Sequence, residues 1–210
     1  MDTPESPPEQ PQIYLITPPV FALGQFADTL ALVLDSTEIA CIRLAMASQD
    51  EDDIARAADS LREVAHARDV ALVIADHVLL AERLGLDGVH LGDAARSVRA
   101  TRKALGADAI VGSYCADSRH DGISSAEAGA DYVSFGPIGA SGLHDGARAE
   151  LDLFQWWSEM IEVPVVAEGA LDAKLVAQLA PITDFFGIGD EIWQSDDPKA
   201  ELAALISAMR

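Results

Sequence analysis

Two aspartates stand where short apolar runs stop: Asp76 closely follows the run 70–74, and Asp93 follows 87–91. Carboxylates at neighbouring strand exits are the oxygen donors that a hard cation such as Mg²⁺ takes, with water completing its octahedron. Asp also caps helices, and the residues alone leave both readings open. A second acidic group, Glu168, Asp190 and Glu191, follows later runs. Such carboxylates serve as helix caps or as partners of loop amides, or they act together as an acid–base pair or a seat for a cationic ligand. Arg43 interrupts an otherwise apolar stretch. An unpaired buried cation is costly, so Arg43 requires a counter-charge, and the acids at the strand ends are the candidates. His90, inside a buried run, reads as a packed and hydrogen-bonded histidine. His77 reads as a helix start, and His120 and His144 fall on polar loops. Cys115 has no evident base beside it and reads as structural. From the adjacent pair Trp156-Trp157, only one ring can face a core.

The elements that would position these groups alternate regularly. Apolar runs over 13–17, 38–45, 70–74, 87–91, 109–113, 131–135, 163–167 and 184–188 have the length and β-branched content of strands buried on both faces. Helix-period segments follow them over about 24–35, 51–68, 78–84, 95–105, 124–127, 151–161, 173–179 and 198–209. Eight strand-then-helix units at roughly two-dozen-residue spacing predict a closed (β/α)8 TIM barrel, a single domain over 13–210. In such a barrel chemistry sits at the downstream strand ends, where the residues above fall. An open doubly wound sheet is the rival. Pro18-Pro19 stands after the first strand, where a dinucleotide fold would carry a glycine fingerprint. The Pro- and Glu-rich segment 1–12 has no apolar pattern and reads as a disordered tail.

A formal charge of −21 excludes nucleic acid and anionic membrane surfaces as partners. It also obliges any anionic substrate to find a locally basic or metal-bridged pocket. No apolar run reaches the ~18 residues of a membrane span. No charged-then-apolar signal opens the chain, so a cytoplasmic location is expected. Cys41 and Cys115 form no disulfide framework or metal knuckle, and reduced thiols are expected.

Three segments together resemble the thiamine phosphate synthase family, which includes the TenI-like proteins: 84–93 (LGLDGVHLGD), 128–138 (AGADYVSFGPI) and 163–171 (VPVVAEGAL). The opening strand IYLIT and the strand 41–44 fit the same order, so the resemblance spans nearly the whole barrel. It implies a small (β/α)8 barrel, usually a homodimer, acting on small pyrimidine- and thiazole-type substrates. The implied activity is a transferase joining hydroxymethylpyrimidine diphosphate to thiazole phosphate with release of pyrophosphate, Mg²⁺ binding the diphosphate.

Residue by residue, the resemblance makes Asp76 a metal ligand, with Asp93 in place of the second. The family's Gln-x-Arg-x-Lys at the second strand is read as Arg43, Ala45 and Ala47, leaving one cation, moved inward. The fifth-strand serine is Tyr114. The threonine-rich loop after Gly136-Pro137 keeps Ser141 as a hydroxyl and has His144 for its lysine. The Ile-Gly-Gly of the thiazole-phosphate cradle becomes Glu168-Gly169-Ala170, and the serine after strand eight aligns with Asp190. The implied roles are catalytic for Arg43, Asp76 and Ser141. Substrate binding falls to Arg43, Tyr114, Gly136, Ser141, His144, Glu168, Gly169 and Asp190, with backbone amides of Gly136 and Gly169 meeting anions. A carboxylate within ~4 Å of a phosphate repels it by about 4 kcal/mol at an effective dielectric of 20, so the anion site is rebuilt relative to the family. The alternative implied by that rebuilding is a non-catalytic or substrate-altered barrel that binds or senses a ligand. A TenI-type isomerisation is disfavoured because Pro137 stands where that branch carries a histidine.

Overall fold

Short β-branched strands buried on both faces need a hydrogen-bonding neighbour on each side, and closing them into a ring supplies one to every strand. The computed structural model describes residues 10–139 and 147–210. It shows that ring: β1 (Gln12–Ile16), β2 (Cys41–Leu44), β3 (Ala71–Ala75), β4 (Gly88–Leu91), β5 (Ile110–Tyr114), β6 (Tyr132–Phe135), β7 (Val165–Glu168) and β8 (Phe185–Ile188). The strands are parallel and follow sequence order. β1 closes on β8 with Tyr14 opposite Gly187 and Leu15 opposite Ile188.

Alternation along each strand divides the side chains into two shells. Leu15, Ile42, Leu72, Val89, Val133, Val165 and Phe186 face outward and join the core shared with the helices. Tyr14, Cys41, Val73, Tyr132 and Val166 fill the barrel axis. Gly112 makes the axial packing possible, because a Cβ there would stand 2.0 Å from Cζ of Tyr132. Along the same inward frame, the last strand turns carry Arg43, His90, Tyr114, Ser134 and Glu168 toward the downstream rim.

The outer ring is α1 (Leu23–Leu34), α2 (Glu51–His66), α3 (Val78–Leu84), α4 (Val98–Leu105), α5 (Arg119–Ala128), α6 (Leu151–Met160), α7 (Ala173–Leu179), α8 (Asp190–Trp193) and α9 (Pro198–Ser207). α2 shows why these segments coil. Ile54, Ala57, Ala58, Leu61 and Ala65 form one buried face, and the Asp50 carboxylate accepts the N–H groups of Asp52 and Asp53 at its start. Asp50→Ala is expected to cost about 1 kcal/mol. That is roughly 2–4 °C in Tm for a chain of this size, measurable by scanning calorimetry; an unchanged Tm would mean that the cap is dispensable.

Several boundaries differ from the sequence expectation. The fifth helix starts at Arg119 rather than Ser124, capped by the Ser118 hydroxyl on the Asp121 N–H, and His120 lies in it, exposed. The expected 95–105 helix is a single 3₁₀ turn over Ala94–Arg96 followed by α4. α8 was not expected. Glu168 belongs to β7 itself, opposite Gly187, instead of to the exit loop, and this turns its side chain inward. Gln12, assigned by sequence to the tail, opens β1, and the tail residues 1–9 lie outside the described residues. Among the described residues no helix is long and apolar enough to cross a membrane.

Candidate functional site

Arg43 is buried near the end of β2, and its two terminal nitrogens are held on different sides. Nη2 donates to Glu168 Oε1 at 3.1 Å, and Nη1 donates to His90 Nε2 at 2.5 Å. An arginine can only donate, so His90 Nε2 must be the unprotonated nitrogen. Nδ1 then carries the hydrogen and donates it to the Tyr132 hydroxyl at 2.9 Å. That hydroxyl lies 2.6 Å from the Tyr14 hydroxyl, at the bottom of the chain. A continuous hydrogen-bonded line thus runs from the acidic rim to the barrel axis through residues of β7, β2, β4, β6 and β1.

The charge states follow from burial. Taking His90 out of water disfavours its cation, and the Arg43 charge beside it acts in the same direction, so its pKa lies well below the ordinary 6.5. Burial likewise raises both phenols, Tyr14 and Tyr132, which stay protonated. Burial pulls Arg43 downward, the Glu168 carboxylate acts upward through its charge and its hydrogen bond, and with the net direction upward the guanidinium remains charged. The pair has unfinished bonding: Glu168 Oε2 and Ser134 Oγ are buried with no hydrogen-bond partner among the described residues. Burial also pushes the Cys41 thiol up to about 12 and raises Cys115, so both stay in the protonated thiol form near neutral pH.

Above the pair lies a hollow of about 280 Å³ between the β1, β7 and β8 exits. Its lining includes Thr17, Ala45, Gly169, Ala170 and three acids, Glu168, Asp190 and Glu191. Glu191 is committed to loop amides: Oε2 accepts the Gly189 N–H at 2.8 Å and Oε1 the Leu171 N–H at 3.1 Å. Asp190, at the start of α8, is exposed.

Asp76 and Asp93 stand at the neighbouring exits of β3 and β4. Asp76 Oδ1 accepts the Gly92 N–H at 2.7 Å, from a backbone with φ of 58°. Asp93 Oδ2 accepts the Ser97 hydroxyl at 2.6 Å, and its Oδ1 is buried without a partner among the described residues. Neither carboxylate caps a helix: α3 starts from His77 without a side-chain cap, and the 3₁₀ turn after Asp93 has none either. Among the described residues no group of three or more His, Cys, Asp or Glu side chains is arranged for a metal. Asp76 and Asp93 each carry carboxylate oxygens of the kind Mg²⁺ takes, one or two at a time with water and phosphate in its other positions, and Asp93 Oδ1 has no partner among the described residues.

The remaining expectations divide. Arg43 and Glu168 meet, as the demand for a counter-charge requires. The Tyr114 hydroxyl donates to Gly136 O at 2.7 Å. The Gly136 N–H donates to Ala116 O at 3.0 Å, so it is not the anion contact expected of it. Gly169 holds a positive φ of 92° at the rim of the hollow. Ser141 and His144 lie outside the described residues. Trp157 is buried and donates to Val163 O, while the guanidinium of Arg119 covers Trp156 at 4.2 Å. Sequence reasoning missed Tyr14, Tyr132 and Ser134. The available signal was their period-2 placement with Cys41, Arg43, His90 and Glu168 on inward strand faces.

A closed (β/α)8 barrel with its charged and polar side chains gathered at the downstream strand ends is the architecture of a barrel enzyme. The family model described as thiamine monophosphate synthase matches residues 13–188. A thiamine-phosphate synthase of Rhodospirillum centenum is 40% identical over 202 residues, covering 95% of this chain and 98% of that protein. One of Erythrobacter litoralis is 35% identical over 195 residues, covering 90% and 91%. Among solved structures, thiamine phosphate pyrophosphorylase from Pyrococcus furiosus superposes with a TM-score of 0.79 at 19% identity, covering 94% of this chain and 96% of that one, a likeness of fold. The chain belongs to the thiamine monophosphate synthase family.

Proposed function

We propose that this protein is a thiamine-phosphate synthase, a transferase that joins hydroxymethylpyrimidine diphosphate to thiazole phosphate and releases pyrophosphate. The observation that carries the reading is the near full-length likeness to proteins of that name, at up to 40% identity among the relatives above. In the reaction the bond from the pyrimidine methylene carbon to the diphosphate oxygen breaks, and the thiazole nitrogen supplies the electron pair for the new C–N bond. Asp76 and Asp93 would hold Mg²⁺, which when bound neutralises the leaving diphosphate. Arg43 presents a permanently charged guanidinium, and two of its five N–H groups are used by Glu168 and His90. The neutral His90 fixes its orientation without adding a competing charge. The hollow between β7 and β8 would receive the thiazole half. A homodimer and a cytoplasmic location are part of the same reading, supported by the family's habit and its small polar substrates; sedimentation checks the first.

The test is direct. The purified chain, given both substrates and Mg²⁺, is expected to form thiamine phosphate and pyrophosphate one to one. Binding of both substrates with no product over hours would overturn the reading in favour of a ligand-binding barrel.

A further inference from the structure

Of the three acids that line the hollow between β7 and β8, Glu168 is the one that the barrel interior fixes in place. Its Oε1 accepts from Arg43 Nη2 at 3.1 Å, and its side chain is 12% exposed. Glycines flank it on both neighbouring strands. A Cβ at Gly187 would stand 2.9 Å from Glu168 Cβ, and one at Gly136 would stand 3.1 Å from Glu168 Cγ. A side chain at either position would push the carboxylate aside. Glu168 Oε2 is left buried without a hydrogen-bond partner among the described residues. The other two acids differ: Glu191 gives both oxygens to loop amides, and Asp190 is exposed. No Lys or Arg is among the lining residues, so Arg43 lies behind the carboxylate and the hollow meets Glu168 first.

Such a lining suits a group that enters neutral and becomes positive. In the synthase reading, on which this inference rests, the thiazole ring is that group. Its nitrogen enters with a free lone pair, and forming the C–N bond turns the ring into a thiazolium cation. The electron pair of the breaking C–O bond leaves with the diphosphate, so the positive charge stays on the ring. We propose that Glu168 is the partner of a thiazolium ring in the β7–β8 hollow, stabilising the positive charge as the C–N bond creates it. A carboxylate held in place beforehand acts on developing charge without reorganising during the step. The same lining that repels an anion thereby favours the ring half of the substrate at the moment it reacts.

The deciding probes are thiazole phosphate and its N-methylated thiazolium, which differ by one methyl group and one positive charge. Both are titrated by calorimetry into the full-length protein at fixed ionic strength. The unaltered protein is expected to bind the cation at least about tenfold more tightly than the neutral ring, as a carboxylate at close range gives. Glu168→Gln keeps the volume and a carbonyl for Arg43, and its preference is expected to drop below about threefold. Asp190→Asn is expected to keep most of the preference, because an exposed charge is screened. In turnover, the kcat of Glu168→Gln is expected to fall at least about tenfold, while the KM for thiazole phosphate, whose ring is still neutral, stays within about twofold. Equal binding of the two probes by the unaltered protein overturns the proposal. So does a Glu168→Gln variant that keeps the preference, an Asp190→Asn variant that loses it, or a loss confined to KM. If a thermal melt shows Glu168→Gln unfolded, the double variant Arg43→Met with Glu168→Leu replaces it in the titrations and is expected to show no preference. The titrations require no catalysis. A cation preference without product sinks the synthase reading alone, and product without the preference sinks the role of Glu168 alone.

Discussion

Arg43→Met is expected to destabilise the protein by about 3–5 kcal/mol, the cost of leaving a buried charge without its partner. In a chain of this length that is roughly 6–20 °C in Tm. The Glu168 side chain is only 12% exposed and would lose its one hydrogen-bonded counter-charge. His90 Nε2 would lose its donor at the same time. Solvent cannot repair either loss cheaply, because the guanidinium fills the space between the two. The double substitution Arg43→Met with Glu168→Leu is expected to recover most of the Tm, since replacing a whole buried pair with packed apolar groups is often neutral or stabilising. Both proteins should lack synthase turnover, which separates the fold's need for the pair from the reaction's need for the cation. A single Arg43→Met variant melting within 2 °C of the parent would show that the pair does not carry the interior. A fully active double variant would remove Arg43 from the substrate site.

What could be read beforehand follows from how buried strands and helices differ. Runs such as Val73-Ile74 and Val165-Val166 are apolar on both faces, so every strand was located to within a few residues. α5 was shortened because its buried face holds Gly122 and Ser125 instead of large apolar side chains. α8, one turn long, has no room for a periodic pattern. The need of Arg43 for an acid was legible from its apolar neighbours, but the choice of Glu168 was not, because the axis across which β2 faces β7 exists only after closure. Tyr14 and Tyr132 pass for ordinary core residues in sequence. Their hydroxyls meet across 118 positions of chain. Asp76 and Asp93 read equally as caps or as ligands in sequence, and only the backbone shows that neither carboxylate makes a cap hydrogen bond. The amide of Gly136 was misassigned because a glycine after a strand gives no sign of which carbonyl takes its hydrogen.

His90 makes the last prediction, a dependence of stability on pH. In the folded protein its pKa lies well below 6.5, first because burial disfavours the imidazolium and then because Arg43 repels it. In the unfolded chain it returns to about 6.5. The unfolded state therefore binds the extra proton first as the solution is acidified. The stability that neutral His90 contributes is complete above about pH 6.5 and is lost as the pH falls below it, by about 1.4 kcal/mol per pH unit. His90→Gln reproduces the neutral side chain's bonding, a carbonyl for Arg43 and an N–H for Tyr132, without a titrating group. Urea unfolding at pH 7, 6 and 5 should show the parent losing stability steeply between pH 6 and 5, with the Gln variant flatter by close to one proton's worth of slope. Parallel curves would mean that His90 is not the group responsible. The folded protein keeps His90 neutral through that window, so Arg43 retains its acceptor and turnover by the folded population should hold while stability declines.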